Sequence, residues 1–325
     1  MTNILILSCG TRNKIVQYFK KELGDKGKVF ATDSSELAPA LYEADEYFIV
    51  PRISEPGYLA HILNICKENN ITGILSLIDP ELSLLAKNRQ KFIDIGTTPI
   101  VSDYEVVEKS FDKYIFNQFL EENSFNSMKC YIDINEFYID LEKEVIDFPV
   151  FVKPYNGSAS ININKVNSKD ELDLLFSKFD NLMIQEYMDG TEYGVDVYID
   201  MISNEPVSIF IKEKIKMRAG ETDKSVSVKD SDLQDLVINF VEIAGYKGII
   251  DIDIFKVNNE YYISEVNPRF GGGYPHAFEC GVNIPRNILN NLLDIENSFE
   301  ISPYEENIYM LKYNEIMIKG GGYAE

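Results

Sequence analysis

The sequence has no tryptophan, two histidines and four cysteines, and these scarcities exclude several kinds of site. The cysteines stand far apart, with no pair separated by two residues, so a zinc site of Cys and His ligands is disfavoured. No apolar run approaches the ~20 residues that a membrane helix requires. The first residues lead directly into an apolar segment without a basic region, as in a protein without a secretion signal. Scattered cysteines in such a chain favour a reducing compartment, and we expect a soluble cytoplasmic protein.

Positive charge is also scarce. The 31 lysines and arginines face 53 aspartates and glutamates, which gives a formal net charge of −22. That charge would repel the phosphates of nucleic acids and anionic membrane surfaces, so we expect no nucleic-acid or membrane partner. An acidic protein that binds a polyphosphate must gather its few cations in one place, and the positions of lysine and arginine are therefore informative.

The chain of 325 residues exceeds the usual size of one hydrophobic core, which predicts two or three domains around a cleft. Its first third alternates short apolar strands with amphipathic helices and predicts a parallel sheet covered by helices. The turn after the first strand, residues 8–12, lacks the second and third glycines of the dinucleotide-binding motif, so NAD is not expected. Expected strands lie near 4–8, 29–32, 46–50, 73–77 and 99–101, and expected helices near 14–23, 57–69 and 80–92.

Acidic residues follow two of these predicted strands. Asp33 could hold a ribose hydroxyl or cap a helix, and capping is the commoner use of such a residue. Asp79-Pro80-Glu81 comes after the fourth strand, at the edge where open sheets bind ligands. A helix start with Asp as cap and Pro in the first turn explains this tripeptide equally well.

The period of the pattern changes near residues 105–112, and the strands that follow alternate as in antiparallel sheets. Lys153 lies between Val152 and Pro154, an apolar setting in which an unpaired ammonium would be costly and a phosphate partner would offset the cost. The segment 156–160 that follows can fold over a polyphosphate and offer backbone N–H groups. A plain hairpin is the alternative explanation of this strand and turn.

The strongest signal is a predicted hairpin of two acidic strands near the C-terminal end. Alternate residues of a strand share a face, so Asp251 and Asp253 point one way, and Glu265 and Asn267 share a face of the returning strand. A three-residue turn at 258–260 would place Asp253 opposite Glu265, whereas a two-residue turn would put Glu265 on the other face. We predict the three-residue turn, with Asp251 opposite Asn267.

Acids clustered on one patch repel each other unless a cation neutralises them, and carboxylate and amide oxygens suit Mg²⁺ bound together with phosphates. Arg269 lies on the same face as Asn267 and can meet a phosphoryl oxygen with two hydrogen bonds. A solvated acidic hairpin is the alternative, and the continuation Asn-Pro-Arg-Phe-Gly-Gly-Gly weighs against it. The pattern predicts a metal site on the face that carries Asp251, Asp253, Glu265 and Asn267.

Taken together, these motifs resemble the ATP-grasp superfamily over roughly residues 105 to 295. The resemblance is greatest to single-module relatives of the carbamoyl-phosphate synthase large subunit and to amino-acid (carboxylate–amine) ligases. It implies an α/β and α+β fold in three parts. These are a Rossmann-like domain over 1–108, the small ATP-grasp lobe over 109–182, and the large lobe with the metal site over 183–325.

The resemblance also implies the binding residues. A helix lysine and a strand lysine would hold the ATP phosphates, the backbone of 186–188 would contact adenine, and an acid would hold the ribose. The implied nucleotide-binding residues are Lys113, Lys153, Ser158, Gln185, Glu186, Tyr187, Met188 and Glu192. The implied metal ligands are Asp253, Glu265 and Asn267, for Mg²⁺ or alternatively Mn²⁺.

Catalytic roles fall on Arg269, Arg218 and Lys153. Arg218 lies where related enzymes place a substrate or acyl-phosphate contact, and a solvated loop arginine explains it as well. The glycines 271–273 could line the acceptor site or form a flexible loop. For His276 we expect a neutral side chain at the start of a helix.

The implied reaction transfers the γ-phosphate of ATP to a small carboxylate, for which an amino acid is expected, and an amine then attacks the acyl phosphate. Catalysis would rest on positioning and charge, without a side-chain nucleophile. Two alternatives stay open: a carbamoyl-phosphate-synthase-like phosphorylation of bicarbonate, carbamate or another small acid, and a catalytically silent ATP-binding protein. The sequence allows a homodimer and leaves the carboxylate and the amine unidentified.

Overall fold

In the computed structural model, which describes residues 1–157, 164–299 and 304–320, the chain begins with a parallel sheet. The strands are β1 (Asn3–Leu7), β2 (Val29–Asp33), β3 (Glu46–Ile49), β4 (Ile71–Ser76) and β5 (Thr98–Pro99). They lie in the order β3-β2-β1-β4-β5, and all pairs are parallel. Residues 4–7 are fully buried because helices cover both faces of the sheet. The predicted helix-covered parallel sheet is confirmed.

The helices of this part are α1 (Asn13–Leu23), α2 (Tyr58–Glu68), α3 (Asp79–Lys87), α4 (Arg89–Ile93) and α5 (Tyr104–Phe111). The single helix predicted near 80–92 is two helices. Asn88 lies between them with φ −108° and ψ 17°, and its side-chain amide donates to the carbonyl of Leu84 at 2.9 Å. That bond competes with continuation of the helix and separates α3 from α4.

The strand order reverses at β1, with β2 on one side and β4 on the other. The loops after β1 and β4 therefore leave the sheet in opposite directions and open a crevice at its carboxyl edge. Asp33 at the end of β2 accepts hydrogen bonds from the backbone N–H groups of Gly10 and Ser35, each at 2.9 Å. Its carboxylate thus ties the loop after β1 to the loop after β2.

A small antiparallel sheet follows, with α6 (Lys113–Glu122), α7 (Ile134–Glu142) and α8 (Lys169–Lys178) around it. Its strands are β6 (Cys130–Tyr131), β7 (Val150–Pro154), β8 (Asn164–Val166) and β9 (Leu182–Glu186), in the order β6-β9-β7-β8. The predicted hairpin is confirmed, since β7 and β8 pair antiparallel. Part of its tip, including Ser158, lies outside the described residues.

The largest sheet is antiparallel, and its strands are ordered β14-β13-β10-β11-β12-β15. They are β10 (Thr191–Ile199), β11 (Pro206–Arg218), β12 (Glu221–Ser227), β13 (Gly248–Val257), β14 (Glu260–Asn267) and β15 (Tyr309–Leu311). The remaining helices are α9 (Ser231–Ala244), α10 (Tyr274–Glu279) and α11 (Ile284–Leu292). Buried side chains such as Val195, Ile252 and Ile254 pack with Phe240 of α9 on one face. The other face carries polar residues such as Asp196 and Lys212 together with apolar residues such as Phe210 and Ile249, which pack into a separate core.

The structure also bears on the predictions about membrane helices and domain bounds. The longest described helix, α9, has 14 residues, and none of the helices described is long and apolar enough to cross a bilayer. The division into 1–108, 109–182 and 183–325 stays a prediction, although the three sheets follow one another along the chain in that order.

The hairpin of β13 and β14 corrects one prediction and confirms another. The predicted three-residue turn is wrong: Val257 pairs with Glu260 across a two-residue turn. Asn258 and Asn259 adopt φ values of 49° and 68°, which is typical of a type I′ hairpin turn. The predicted pairing nevertheless holds, because the register shifts by one residue between Ile254 and Asp253. A bulge at Ser264, and not the turn, supplies the extra residue.

Candidate active site

Two polar pairs lie side by side on the free face of the β13–β14 hairpin. Asp253 pairs with Glu265, and Asp251 pairs with Asn267. Glu265 and Asn267 line a pocket together with Lys113, Gly157 and Asp79. The face opposite these acids is apolar, so the hairpin buries one side and presents oxygen atoms on the other.

This donor set fits a magnesium ion. Two carboxylates and an amide offer hard oxygen ligands, which Mg²⁺ prefers. Within the described ranges, no group of three or more His, Cys, Asp or Glu side chains is arranged to hold a metal. An ion at Asp253, Glu265 and Asn267 would therefore need further oxygens, as phosphate groups provide in enzymes of phosphoryl transfer.

Two lysines bring positive charge to these acids. Lys153 on β7 is 7% exposed, and burial together with the nearby Lys113 lowers the pKa of its ammonium. The Lys113 ammonium, at the start of α6, donates to the carbonyl of Gly157 at 2.7 Å. Burial alone would raise the pKa of Glu265, but Lys113, Lys153 and Arg269 hold it below its usual value. Glu265 is therefore a carboxylate, and cations converge here in an otherwise acidic protein.

A third lysine, Lys214 on β11, was missed by sequence reasoning. Its ammonium lies 2.5 Å from Asp253 and 2.9 Å from Glu192, the predicted ribose ligand. Although burial works against it, these carboxylates raise the pKa of Lys214. One ammonium thus joins the predicted ribose site to the predicted metal site. The alternation of Lys212, Lys214 and Lys216 along a strand of this acidic chain was the available signal.

The predicted adenine contacts lie where β9 leads into β10. Gln185 is buried within the small sheet, while Glu186, Tyr187 and Met188 are half-buried. Glu186 is already bonded to Lys129, since its N–H donates to that carbonyl at 2.9 Å and its carboxylate accepts from that N–H at 3.1 Å. A purine contact at Glu186 would therefore fall on its carbonyl oxygen. These roles stay predictions.

Arg269, the predicted phosphate ligand, already has a carboxylate partner from the parallel-sheet part of the chain. Its guanidinium meets Asp79 through two hydrogen bonds, Nε to Oδ1 at 2.9 Å and Nη2 to Oδ2 at 3.2 Å. Nη2 also donates to the Oδ1 atom of Asn267 at 3.0 Å. The carboxylate of Asp79 does not cap α3, whose cap residue is Ile78 without a side-chain bond. Asp79 instead orients Arg269 beside the predicted metal ligands.

We expect Asp79→Asn to lower kcat for substrate-dependent ADP release about tenfold while changing the KM for ATP less than threefold. The asparagine keeps one hydrogen bond but loses the charged bidentate contact, which is worth about 1.5–3 kcal/mol. Steady-state kinetics on an active substrate pair measure both constants. Glu68→Gln, at an exposed position of α2, is the matched control, and an unchanged kcat in Asp79→Asn would contradict the role given to this carboxylate.

The glycines 271–273 form a packed turn, which corrects the alternative of a flexible loop. A Cβ atom at each position would come within 2.3–3.0 Å of the side chain of Asp251, Glu221 or Lys212, respectively. These side chains therefore occupy the space that only glycine leaves free. Glu221 in turn pairs with Arg12 at 2.9 Å, so this turn also borders the parallel-sheet part of the chain.

Arg218 lies at the hairpin end of β11, where it pairs with Glu221 of β12. Its guanidinium is 2.8 Å from Asp223, and half of its side chain is exposed. It is not among the residues that line the pocket with Glu265. Its geometry matches the solvated loop arginine, and a catalytic role for Arg218 stays a prediction without a contact in its favour.

His276 is buried in the first turn of α10. Its Nδ1 atom lies 2.8 Å from the Ser225 hydroxyl, and its Nε2 atom lies 3.0 Å from the carbonyl of Ile308. Burial and the neighbouring ammonium of Lys212 lower the pKa of His276 to about 4. The expected histidine at a helix start is confirmed, its low pKa favours the neutral ring, and its two contacts join β12 to the segment before β15.

This low pKa predicts an acid-sensitive fold. The unfolded chain protonates His276 near its ordinary value of about 6.5, whereas the folded chain resists protonation down to about 4. Stability is therefore lost as the pH falls through this window, by about 3 kcal/mol at most. Urea unfolding at pH 7 and pH 5 measures the loss. We expect His276→Asn to lose less stability than the wild type between these two pH values, and equal losses would contradict the assignment.

Two known protein families match successive segments of the chain. A model of the PylC-like N-terminal domain matches residues 4–100, and a model of the ATP-grasp domain matches residues 111–273, about half of the chain. The chain belongs to the ATP-grasp family. That membership agrees with the placement of two lysines and an acidic hairpin around one cleft.

Individual relatives resemble the chain at low identity. The carbamoyl-phosphate synthase of Methanobrevibacter smithii is 24% identical and covers 88% of this chain and 81% of its own length. D-alanine–D-alanine ligase B of Clostridium tetani is 23% identical over 60% of this chain and 62% of its own length. The biotin carboxylase domain of a Hydrogenobacter thermophilus 2-oxoglutarate carboxylase, solved with MgADP and bicarbonate, superimposes with a TM-score of 0.74 at 17% identity. That match covers 95% of this chain and 73% of the other.

These comparisons confirm the predicted fold, the class of ATP-dependent carboxylate–amine ligases and the Mg-ATP cofactor that is typical of the family. They leave the substrates of this chain open. The roles of its individual site residues stay predictions.

Proposed function

We propose that this protein uses Mg-ATP to activate a small carboxylate, an amino acid, as an acyl phosphate and then joins it to an amine. The observation that carries this proposal is the pairing of Asp253 with Glu265 on the free face of the hairpin, opposite Lys113 and Lys153. The clustered carboxylates suit a bound metal ion, and the nearby ammonium groups suit a polyphosphate. Ion pairs among these side chains alone explain the cluster less well.

In this mechanism the lysines bind and orient the phosphates. Lys113 and Lys153 would contact the phosphate chain of ATP, and burial of Lys153 strengthens that contact by excluding water. Mg²⁺, when bound at Asp253, Glu265 and Asn267, would neutralise phosphate charge. Arg269, held by Asp79, would meet the phosphoryl group as it moves to the acceptor.

The reaction balances in two steps. A carboxylate oxygen of the substrate attacks the γ-phosphorus of ATP, the bond from this phosphorus to the β–γ bridging oxygen breaks, and ADP leaves. The nitrogen of the amine then attacks the acyl carbon, the bond from that carbon to the phosphate oxygen breaks, and inorganic phosphate and a proton leave. No protein nucleophile is needed, and burial raises the pKa of the Cys130 thiol to about 12, so that this nearby cysteine stays protonated.

A screen of ADP release against pairs of amino acids and small carboxylates, with products identified by mass spectrometry, tests the proposal. We expect ADP release that requires both partners and an amide product whose mass is the sum of the two minus water. ADP release without any condensed product would contradict the ligase assignment.

The relative from M. smithii, which covers most of the chain, favours one second candidate. This is phosphorylation of bicarbonate, carbamate or another small acid without ligation. Hydroxylamine distinguishes the two, because it traps an acyl phosphate as a hydroxamate when the amine is omitted. A hydroxamate from an amino acid supports the ligase, whereas ADP release with bicarbonate alone supports the second candidate.

A further inference from the structure

A second cavity, of about 220 Å³, lies in the parallel-sheet part of the chain. Side chains from the carboxyl ends of the strands line it, at the edge where the strand order reverses. Open sheets of this kind bind ligands at that edge. Its polar lining consists of Ser8, Ser34, Arg52, Ser54, Tyr58 and Glu81.

The floor of this cavity is a buried carboxylate surrounded by hydroxyl groups. Glu81 is 1% exposed and accepts hydrogen bonds from Ser8 at 2.7 Å, from Ser76 at 2.5 Å and from the Tyr58 hydroxyl. Ser8 and Tyr58 each donate their only hydroxyl proton to Glu81. Their oxygens can therefore only accept a hydrogen bond from a ligand. Burial raises the pKa of Glu81, but the three hydroxyl donors favour its charged form and oppose that rise. The floor therefore offers acceptors over a carboxylate, which suits a cationic donor such as an ammonium group.

Backbone strain holds one of these hydroxyls in place. Ser8 has φ +47°, a left-handed conformation that is unfavourable for a residue with a side chain. The bond from its hydroxyl to Glu81 fixes the side chain at the end of β1. A relaxed backbone would aim this hydroxyl elsewhere, so the strain serves the floor of the cavity.

The rim of the cavity carries an arginine without an acidic partner. Arg52 is exposed, and no carboxylate of the described residues lies within 4.0 Å of its guanidinium. Glu55, the nearest acid in sequence, accepts instead from the backbone N–H of Arg52 at 3.2 Å. Every other arginine of the chain forms an ion pair: Arg12, Arg89, Arg218, Arg269 and Arg286. In a protein of net charge −22, an arginine left without such a partner is a ready site for the carboxylate of a ligand.

We propose that this cavity binds an α-amino acid, with its ammonium on the oxygens of Ser8 and Tyr58 above Glu81 and its carboxylate at Arg52. The assignment rests on the proposed ligase function for its role, because the bound amino acid would be one of the two substrates. Position supports that role. Asp79, two residues before Glu81 in the first turn of α3, contacts Arg269 of the candidate active site, so the cavity and the active site meet at the start of this helix.

Thermal-shift and calorimetric titration of the purified protein with the twenty standard L-amino acids, without ATP, tests this assignment. We expect at least one amino acid to bind and its N-acetyl and amide derivatives to bind at least about tenfold more weakly, because each lacks one charged group. Arg52→Gln should weaken binding by a similar factor, as should Glu81→Gln. Lys67→Ala, an exposed change in the same part of the chain, is the matched control.

MgADP titration distinguishes a loss of amino-acid binding from a loss of folding. Wild-type affinity for MgADP in Arg52→Gln and Glu81→Gln shows that each variant is folded, and Arg52 is exposed enough to be replaced without disturbing the core. Amino acids that bind the wild type and Arg52→Gln equally, or no binding by any amino acid, would overturn the assignment. Binding that depends on Arg52 in a protein without ligase activity would leave the cavity assigned and contradict the proposed reaction instead.

Discussion

Replacing Glu265 by glutamine is expected to lower kcat for ADP release roughly 100- to 1000-fold, as large a loss as removal of one preorganised electrostatic contact to a transition state causes. The amide keeps the size of the side chain and one oxygen but loses the negative charge that faces Lys113, Lys153 and Arg269. Steady-state kinetics at saturating Mg-ATP with an active substrate pair measure the loss. Glu260→Gln, at the exposed tip of the same hairpin, should keep wild-type activity.

Metal affinity gives a second measurement at this residue. We expect Glu265→Gln to need at least tenfold more Mg²⁺ for half-maximal activity, and Mn²⁺ bound in the presence of ADP should show a weaker affinity by electron paramagnetic resonance. Circular dichroism establishes that the variant is folded. Wild-type kcat and wild-type Mn²⁺ affinity in a folded Glu265→Gln protein would remove this carboxylate from the proposed site.

Replacing Lys212 by methionine is expected to destabilise the fold by about 3–5 kcal/mol. Lys212 and Asp196 are both fully buried, and the ammonium lies 2.5 Å from the carboxylate and 4.0 Å from Asp251. Methionine fills most of the space but leaves the charge of Asp196 buried without a partner, which is the costly half of a broken ion pair. Urea unfolding followed by circular dichroism measures the difference in the free energy of unfolding.

A double variant distinguishes the ion pair from packing. Lys212→Met combined with Asp196→Asn removes both charges at nearly constant volume, and we expect it to recover at least half of the lost stability. A double variant as unstable as Lys212→Met alone would show that packing against the glycine turn, and not the charge of Asp196, accounts for the effect.

Local patterns predicted much of the fold because they report local physics. Runs such as residues 4–7 are apolar throughout, as buried parallel strands require, and the acids of β13 alternate with isoleucines because only one face is buried. The same alternation placed Asp253 and Glu265 on the free face of the hairpin. The resemblance supplied the nucleotide roles, which spacing within one strand cannot supply.

Contacts between distant segments were beyond such patterns. The bond between Asp79 and Arg269 joins residues 190 positions apart, and the ammonium of Lys214 reaches Asp253 from 39 positions away. The sequence gives the residue type at the end of a strand, but the contact partner of that side chain depends on how the sheets pack. Asp79 was therefore open between a helix cap and a ligand site, and only the packed structure shows its salt bridge.

The turn of the acidic hairpin was wrong for a different reason. For Asp253 and Glu265 to share a face, β14 must contain one residue more than β13 between the turn and these acids. The alternation pattern does not show where that extra residue lies, and the prediction put it in the turn. The core residues Ile263 and Val266 are three positions apart instead of two, which was the available signal for a bulge at Ser264.

Ser264 is a spare residue between the tip of the hairpin and the candidate ligands. If it were lost, Glu265 would follow Ile263 directly and would still face Asp253, because Ile263 already pairs with Ile254. Deletion at this one position would therefore leave both acids aligned, whereas deletion of Asn258 or Asn259 would rebuild the tight turn.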